Sequence, residues 1–320
     1  MDTEDADIDP ELREQRLPRS QRLDVQPYRP DGGLPPLGMI LALLITLALA
    51  IAVGRILSWV LQWLYIVLLF PFLAGMAVGG FGVFAIQVAK VRNALFASLV
   101  GLFAGFLCMA AMHYTDYERF QNTMELKPKR KIVVGVRIKP GDENLGFLEY
   151  VDRKAEKGVV IRIFGWPWNL GYYGSYFYWG LETLLAAWAA RAMMATSTRA
   201  PFCKICLRWK VEHKLARLNL APETAEDTVK RGELVRLADR WSPGSTGPIY
   251  LTIWSCPSCR EYSTVDVRLV DIRPNAQGIP QPRLLVFATY PGEALPILED
   301  LFGHRRKVAR GEGDEEAEEG

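Results

Sequence analysis

Cys203-Lys-Ile-Cys206 and Cys256-Pro-Ser-Cys259 repeat one spacing, C-x2-C, with 49 residues between the pairs. A tight turn of that length presents two thiolates to a single ion, and two such turns complete a tetrahedron of sulfur. A Zn²⁺ held by all four has no position left for water, so the expected site is structural rather than catalytic. Four-sulfur sites suit iron as well, and spacing alone does not separate the two metals. The same motif also serves thiol–disulfide exchange. That chemistry wants a strand–helix setting and one lowered thiol pKa, and neither pair opens a visible helix of that kind. His213 lies near the first pair but is not needed to fill the site, and His113 and His304 carry no motif. The fifth cysteine, Cys108, sits alone in an apolar run and reads as a small buried residue. No nucleotide loop, paired carboxylates, HExxH helix or recognisable Ser/His/Asp set accompanies them.

The elements around these cysteines divide the chain in two. Half of the 320 residues are hydrophobic, yet 23% are charged, which implies an apolar part and a polar part. The net charge of +2 argues against nucleic acid as a partner, because no basic excess exists to neutralise phosphates. Four apolar runs are long enough to cross a bilayer core of about 30 Å at about 1.5 Å per residue. They are 36–54, 63–89, 94–114 and 172–194. The second is long enough to tilt, or to break near Pro71. The first begins behind an acidic leader, not a basic one, so it reads as a retained helix and not a signal peptide. Arg19, Arg22 and Arg29 before the first run, Lys90 and Arg92 between the second and third, and Arg191 onward after the fourth put both termini in the cytoplasm. Trp59, Trp63, Tyr65, Tyr114, Tyr117, Trp166, Trp168, Tyr172, Tyr173 and Tyr176 fall at the opposite ends, where an interfacial belt of aromatics belongs.

Small residues mark the second and third runs, as GMAVG and GLFAG. Such stripes let helix backbones approach closely. They supply either a homo-oligomer face or, as the adjacency of the two runs favours, the packing of one hairpin. Glu182 stands near the middle of the fourth run, where a carboxylate costs a few kcal/mol to insert. It is a candidate for a proton-linked or small-solute activity, or a hydrogen-bonded packing residue.

Between the third and fourth runs lies a polar loop, 115–170. It carries a β-rich KIVVGVRI and a short amphipathic helix over 143–158 with Leu145, Leu148, Val151 and Ala155 on one face. A second strand, VVIRIFG, follows. Past residue 199 the chain has soluble character. A helical insert, APETAEDTVKRGELVRLADR, fills the space between the cysteine pairs. Strands GPIYLTIW, EYSTVDVRLVDIR and RLLVFATY flank and follow the second pair, and a short helix closes the domain. The basic residues Arg199, Lys204, Arg208, Lys210 and Lys214 follow directly on the fourth run, so anionic lipid is their nearest partner. The first 35 residues and the last 15 are acidic and read as disordered tails.

Strand, C-P-x-C knuckle and strand together resemble the zinc-ribbon and rubredoxin-like class over 201–290, which implies a small β domain with a structural metal. The Lys90, Arg92, Asn93 turn between two small-residue helices, with Tyr178, Trp179 and Glu182 on a later helix, resembles uncharacterised bacterial multi-span membrane proteins. The expected architecture is therefore a membrane α-helical protein of four spans (36–114 and 171–195), with a small α+β extracytoplasmic loop (115–170) and a cytosolic zinc-ribbon-like β domain (199–305). Acidic segments 1–35 and 306–320 complete it. The expected setting is a bacterial cytoplasmic membrane. The expected role is a non-enzymatic interaction or assembly module for a cytosolic protein partner. The alternatives are an activity centred on Glu182 and a membrane-tethered thiol redox protein.

Overall fold

The computed structural model describes residues 23–60, 69–126, 132–133, 136–137, 145–163, 166–239, 247–259 and 262–304. The acidic stretches 1–22 and 305–320, and Trp63 and Tyr65, lie outside them. In chain order the elements begin with strand β1 (Gln26–Pro27) and helices α1 (Pro36–Val60), α2 (Leu69–Ala89) and α3 (Ala94–Leu126). Strands β2 (Ile132–Val133) and β3 (Val136–Arg137), helix α4 (Phe147–Lys157), strands β4 (Val160–Ile163) and β5 (Trp166–Asn169) and helix α5 (Gly171–Ser197) follow. Then come β6 (Phe202–Cys203), β7 (Arg208–Trp209), β8 (Val211–Leu218), α6 (Pro222–Lys230), α7 (Leu234–Asp239), β9 (Ile249–Ser255), β10 (Val265–Pro274), β11 (Pro280–Tyr290) and α8 (Ala294–Glu299). The chain divides into a helical unit, Pro30–Ala200, and a sheet unit formed by Met1–Arg29 with Pro201–Gly320.

Among the described residues, three helices are long and apolar enough to cross a membrane: Pro36–Val60, Leu69–Ala89 and Ala94–Thr123. Pro71 lies within the helical segment Leu69–Ala89, and the part of the second run ahead of it, 63–68, lies outside the described residues. The turn between α2 and α3 is held residue by residue. Lys90 takes a left-handed φ of 56° to end α2. Arg92 pairs with Asp31 at 2.5 Å and donates its backbone N–H to Gly33 O. The Asn93 side chain caps α3 by accepting the Phe96 N–H at 2.9 Å.

The small-residue stripes have a different partner from the one expected. Both turn toward α5, not principally toward each other. A Cβ on Gly75 of α2 would collide with the Ala186 carbonyl oxygen, and one on Gly105 of α3 would lie 2.5 Å from Ala187 Cα. Gly79 and Gly101 meet Ala190 in the same way. On α5 the matching face is Ala186, Ala187, Ala189 and Ala190, all buried. Backbone meets backbone here, and backbone cannot turn aside. Gly105→Val is therefore expected to displace α5 and cost about 3 kcal/mol or more. Gly80→Ala, which meets nothing within 4 Å, should be neutral or slightly stabilising. Thermal aggregation midpoints of the detergent-solubilised variants separate the two. Equal midpoints would contradict this packing.

Where the end of α3 meets α4, the helical unit packs around aromatics. Phe120 and Tyr150 are fully buried with their ring centroids 5.1 Å apart, packed by Tyr117, Leu145 and Val151. Leu148, expected on the buried face of α4, is 79% exposed. The larger Tyr150 ring takes the inner position and rotates Leu148 outward. Lys154 on α4 pairs with Asp116 on α3 at 3.1 Å, and Asp116 in turn accepts from Ser58 of α1 at 2.6 Å. The β-rich KIVVGVRI contributes the two short paired strands β2 and β3. Trp166 and Trp168 lie on β5, exposed and paired with β4.

The sheet unit is built on five antiparallel strands in the order β1-β11-β10-β9-β8. One face carries Leu251 and Ile253, Val265, Val267 and Leu269, Val286 and Ala288, the period-two pattern of a half-buried sheet. Ala225, Val229, Leu234, Leu237, Leu295 and Leu298 of α6, α7 and α8 close that core. Two strands were not expected. β8 falls in the basic stretch ahead of the helical insert, where the sequence reading places no element, and VEHKLARL has four charged or titratable residues in eight. It is an edge strand, where charge is tolerated on the outer face. β1 lies within the segment read as disordered. Leu23 and Val25 pack against the core and Tyr28 stacks on Phe287 at 4.0 Å, which orders this part of it.

Candidate metal centre

The first cysteine pair sits on a minimal hairpin. β6 and β7 pair through Phe202 with Trp209 and Cys203 with Arg208, and the two aromatic rings meet edge to face at 5.1 Å. The turn between them passes through Leu207, whose φ of 49° lies in the left-handed region. The second pair follows β9 without a break: Cys256 comes directly after Ser255, and Tyr262 closes the turn by donating its N–H to Cys259 O at 2.8 Å. Because Val211 of β8 pairs with Ser255 of β9, both turns fall at the same end of the sheet. Arg208 fastens them together, donating from Nη1 to Ser258 Oγ at 3.2 Å.

The result is one cluster of four thiols. The Sγ atoms of Cys203, Cys206, Cys256 and Cys259 all lie within 4.8 Å of one another, with Cys203 and Cys259 at 3.4 Å. A tetrahedron of sulfurs at about 2.3 Å from zinc has edges of about 3.8 Å, so the set has the size a tetrathiolate metal needs. None of the four is in a disulfide, and Cys203 and Cys256 are buried. Cys108 is a separate buried thiol on α3, in a cluster with Ala50, Ala104 and Ala190.

The thiols differ in acidity. Burial raises Cys256, but the backbone N–H groups of Cys259 and Ser258 point at its sulfur and bring it down to about 7. Burial, with the contacts to the neighbouring thiols, pushes Cys259 up to about 12. The second turn therefore prepares one thiolate, and a bound dication would draw off the remaining protons.

A buried ion pair lies one residue beyond the hairpin. Lys210 Nζ donates to Asp266 Oδ2 at 2.6 Å, to Thr264 O at 2.6 Å and to Thr264 Oγ1 at 2.9 Å, so all three of its protons are used. Asp266 Oδ1 accepts from Thr289 Oγ1 at 2.7 Å. The two charged side chains are 2% and 3% exposed. This corrects the placing of Lys210 in a surface basic patch. The side chain runs into the sheet because a carboxylate on β10 and a threonine carbonyl complete its hydrogen bonds. Lys204, Arg208 and Lys214 are exposed, as is Arg199 at the end of the helical unit. The pair is hard to see in the sequence, since Asp266 alternates with valines and reads as a solvent-facing strand position.

Glu182 is 3% exposed, on the face of α5 that also carries Tyr178, Ala186 and Ala190. It belongs to the helical unit and is no part of the thiol cluster. His213 is exposed on β8 and does not join the cluster either.

No family model, curated protein or solved structure matches this chain.

Proposed function

We propose that this chain is a four-span protein of a bacterial cytoplasmic membrane, with both termini in the cytoplasm. Its zinc-ribbon-like sheet unit, built around one structural zinc, serves as an interaction or assembly module for a cytosolic protein partner. The observation that carries the reading is the closed set of four thiols. Four sulfurs mutually within 4.8 Å favour a single shared ion over two separate disulfides, and four thiolates leave no open coordination position for a substrate. The metal then stiffens a surface at the end of the sheet, which is what a docking module on a small core needs.

Support for a fourth span comes from α5. It is 27 residues long, enough to cross, and its alanine face fits the glycines of α2 and α3. Its lower apolarity comes from the aromatic half before Glu182, which suits an interfacial belt, and from Glu182 itself, which is turned inward. The basic residues after α5 support a cytoplasmic sheet unit.

The test is to purify the full chain anaerobically from membranes and measure metal and free thiols together, with a topology reporter fused after residue 320. One zinc per chain, a colourless protein, thiols masked until chelation and a cytoplasmic reporter are expected. Intense visible absorption would replace zinc by iron. No metal, with thiols that cycle reversibly to disulfides, would make this a tethered redox protein. For the docking role, proteins co-purifying with the chain should be lost in Cys256→Ser and retained in Glu182→Gln. The reverse pattern would move the function to the bundle.

A further inference from the structure

Among the described residues, the tip of the first cysteine turn is apolar, cationic and exposed. Ile205 is 66% exposed and Leu207 is 52% exposed, and Lys204 and Arg208 flank them, also exposed. Leu207 is the telling residue. Its φ of 49° is a conformation glycine adopts freely and a leucine holds only at a cost of about 1 kcal/mol. The leucine side chain also gains little burial in return. A strained backbone carrying an exposed apolar side chain points to something outside the chain that uses that side chain.

We infer that this tip docks on the anionic face of the membrane that carries the chain, with Ile205 and Leu207 entering the headgroup boundary and Lys204 and Arg208 meeting lipid phosphates. The inference rests on the reading above that α5 spans and that the four thiols hold a metal. Three features favour lipid over a protein groove. First, apolar and cationic residues are interleaved within five positions, Lys204 to Arg208, which is the pattern that combines interfacial burial with attraction to anionic lipid. Second, the leash is short. Ile205 follows the end of α5 at Ser197 by eight residues, at most about 28 Å of extended chain. Third, Cys203 and Cys206 clamp the turn at both sides, so the metal would hold the tip in shape without any ordering cost on contact. The role differs from partner docking: it would fix the orientation of the sheet unit on its own bilayer.

The test places the photo-crosslinker p-benzoylphenylalanine at Ile205 or, for comparison, at Ile279, in the full chain. Ile279 is 58% exposed in the turn between β10 and β11. That turn lies at the other end of β10 from the cysteines, about 30 Å away along the strand. Crosslinking is run in native membranes and in nanodiscs of phosphatidylcholine with or without phosphatidylglycerol. Lipid adducts at 205 are expected to exceed those at 279 about tenfold in the anionic discs. They should fall about fivefold when Lys204→Gln is added, as expected for roughly one basic contact. Metal analysis of the same samples verifies that the turn is intact, and the topology reporter tests the fourth span separately. Equal lipid adducts at the two positions, or a discrete protein adduct at 205 in native membranes, would overturn the inference, the latter giving the tip to a protein partner instead.

Discussion

Cys256→Ser is expected to abolish metal binding and to unfasten one end of the sheet while leaving its core standing. Removing one of four thiolates breaks a closed tetrahedron. Structural zinc contributes about 10–16 kcal/mol of apparent binding energy in small domains, more than the total stability of many of them. The loss would not spread evenly. Cys256 joins β9 to the second turn, and the β6–β7 hairpin reaches the rest of the unit through the thiols, through Arg208 to Ser258, and through Lys210. By contrast the core of Leu251, Ile253, Val267, Leu269 and Ala288 is closed by α6, α7 and α8 without any cysteine. Hydrogen exchange on the full chain in detergent should therefore show residues 201–210 and 256–259 losing about a thousandfold in protection, near 4 kcal/mol, with β10 and β11 changed much less. Chelation of the unmutated protein should give the same map. Cys108→Ser, which removes a thiol from the bundle only, should leave both metal and map unchanged. Full protection of 201–210 in the metal-free variant would show that the hairpin stands without the thiols and would remove the basis for a structural metal.

The contrast between cysteines and lysine explains how far the sequence could be read. The C-x2-C pairs announce a four-sulfur cluster because metal-ligand spacing is a local rule, and the cluster forms. The apolar runs announce helices for the same reason: length and composition suffice, although α1 continues past its run to Val60 and α3 to Leu126. What neighbours each element is a tertiary fact. GMAVG and GLFAG state that some backbone comes close, and the identity of that backbone, α5, sits about 80 to 110 residues further on. β8 carries charge because it is an edge, and an edge strand with charge has no sequence signature distinct from a solvated loop. Lys210 reads as a surface residue because a lysine in a basic stretch is normally solvated. The acceptors that bury it, Thr264 and Asp266, lie more than 50 residues away.

The Lys210–Asp266 pair is the second place where one substitution should have a large effect, and its sign depends on what is removed. Asp266→Ala leaves an ammonium buried with only the carbonyl and hydroxyl of Thr264, and Lys210→Met leaves a carboxylate with only the hydroxyl of Thr289. Stranding either charge should cost about 3–5 kcal/mol, because desolvation is no longer offset by the opposite charge. Removing both, as Lys210→Met with Asp266→Leu, strands nothing, and the double variant should be within about 1 kcal/mol of the parent or more stable. A double-mutant cycle on the chemical unfolding of the sheet unit, monitored by exchange in β10, gives the coupling energy directly. Metal content adds a second readout. Lys210 is four residues past Cys206, and its backbone N–H is bonded to Pro201 O across the hairpin. The single variants should loosen the hairpin and weaken metal affinity, whereas the double variant should restore both. If the double variant regained stability but not metal affinity, the ion pair would be a positioning device for the cysteine turn rather than a support of the sheet. If neither single variant cost more than about 1 kcal/mol, water would have to reach the pair, and its burial at the end of the sheet would be transient.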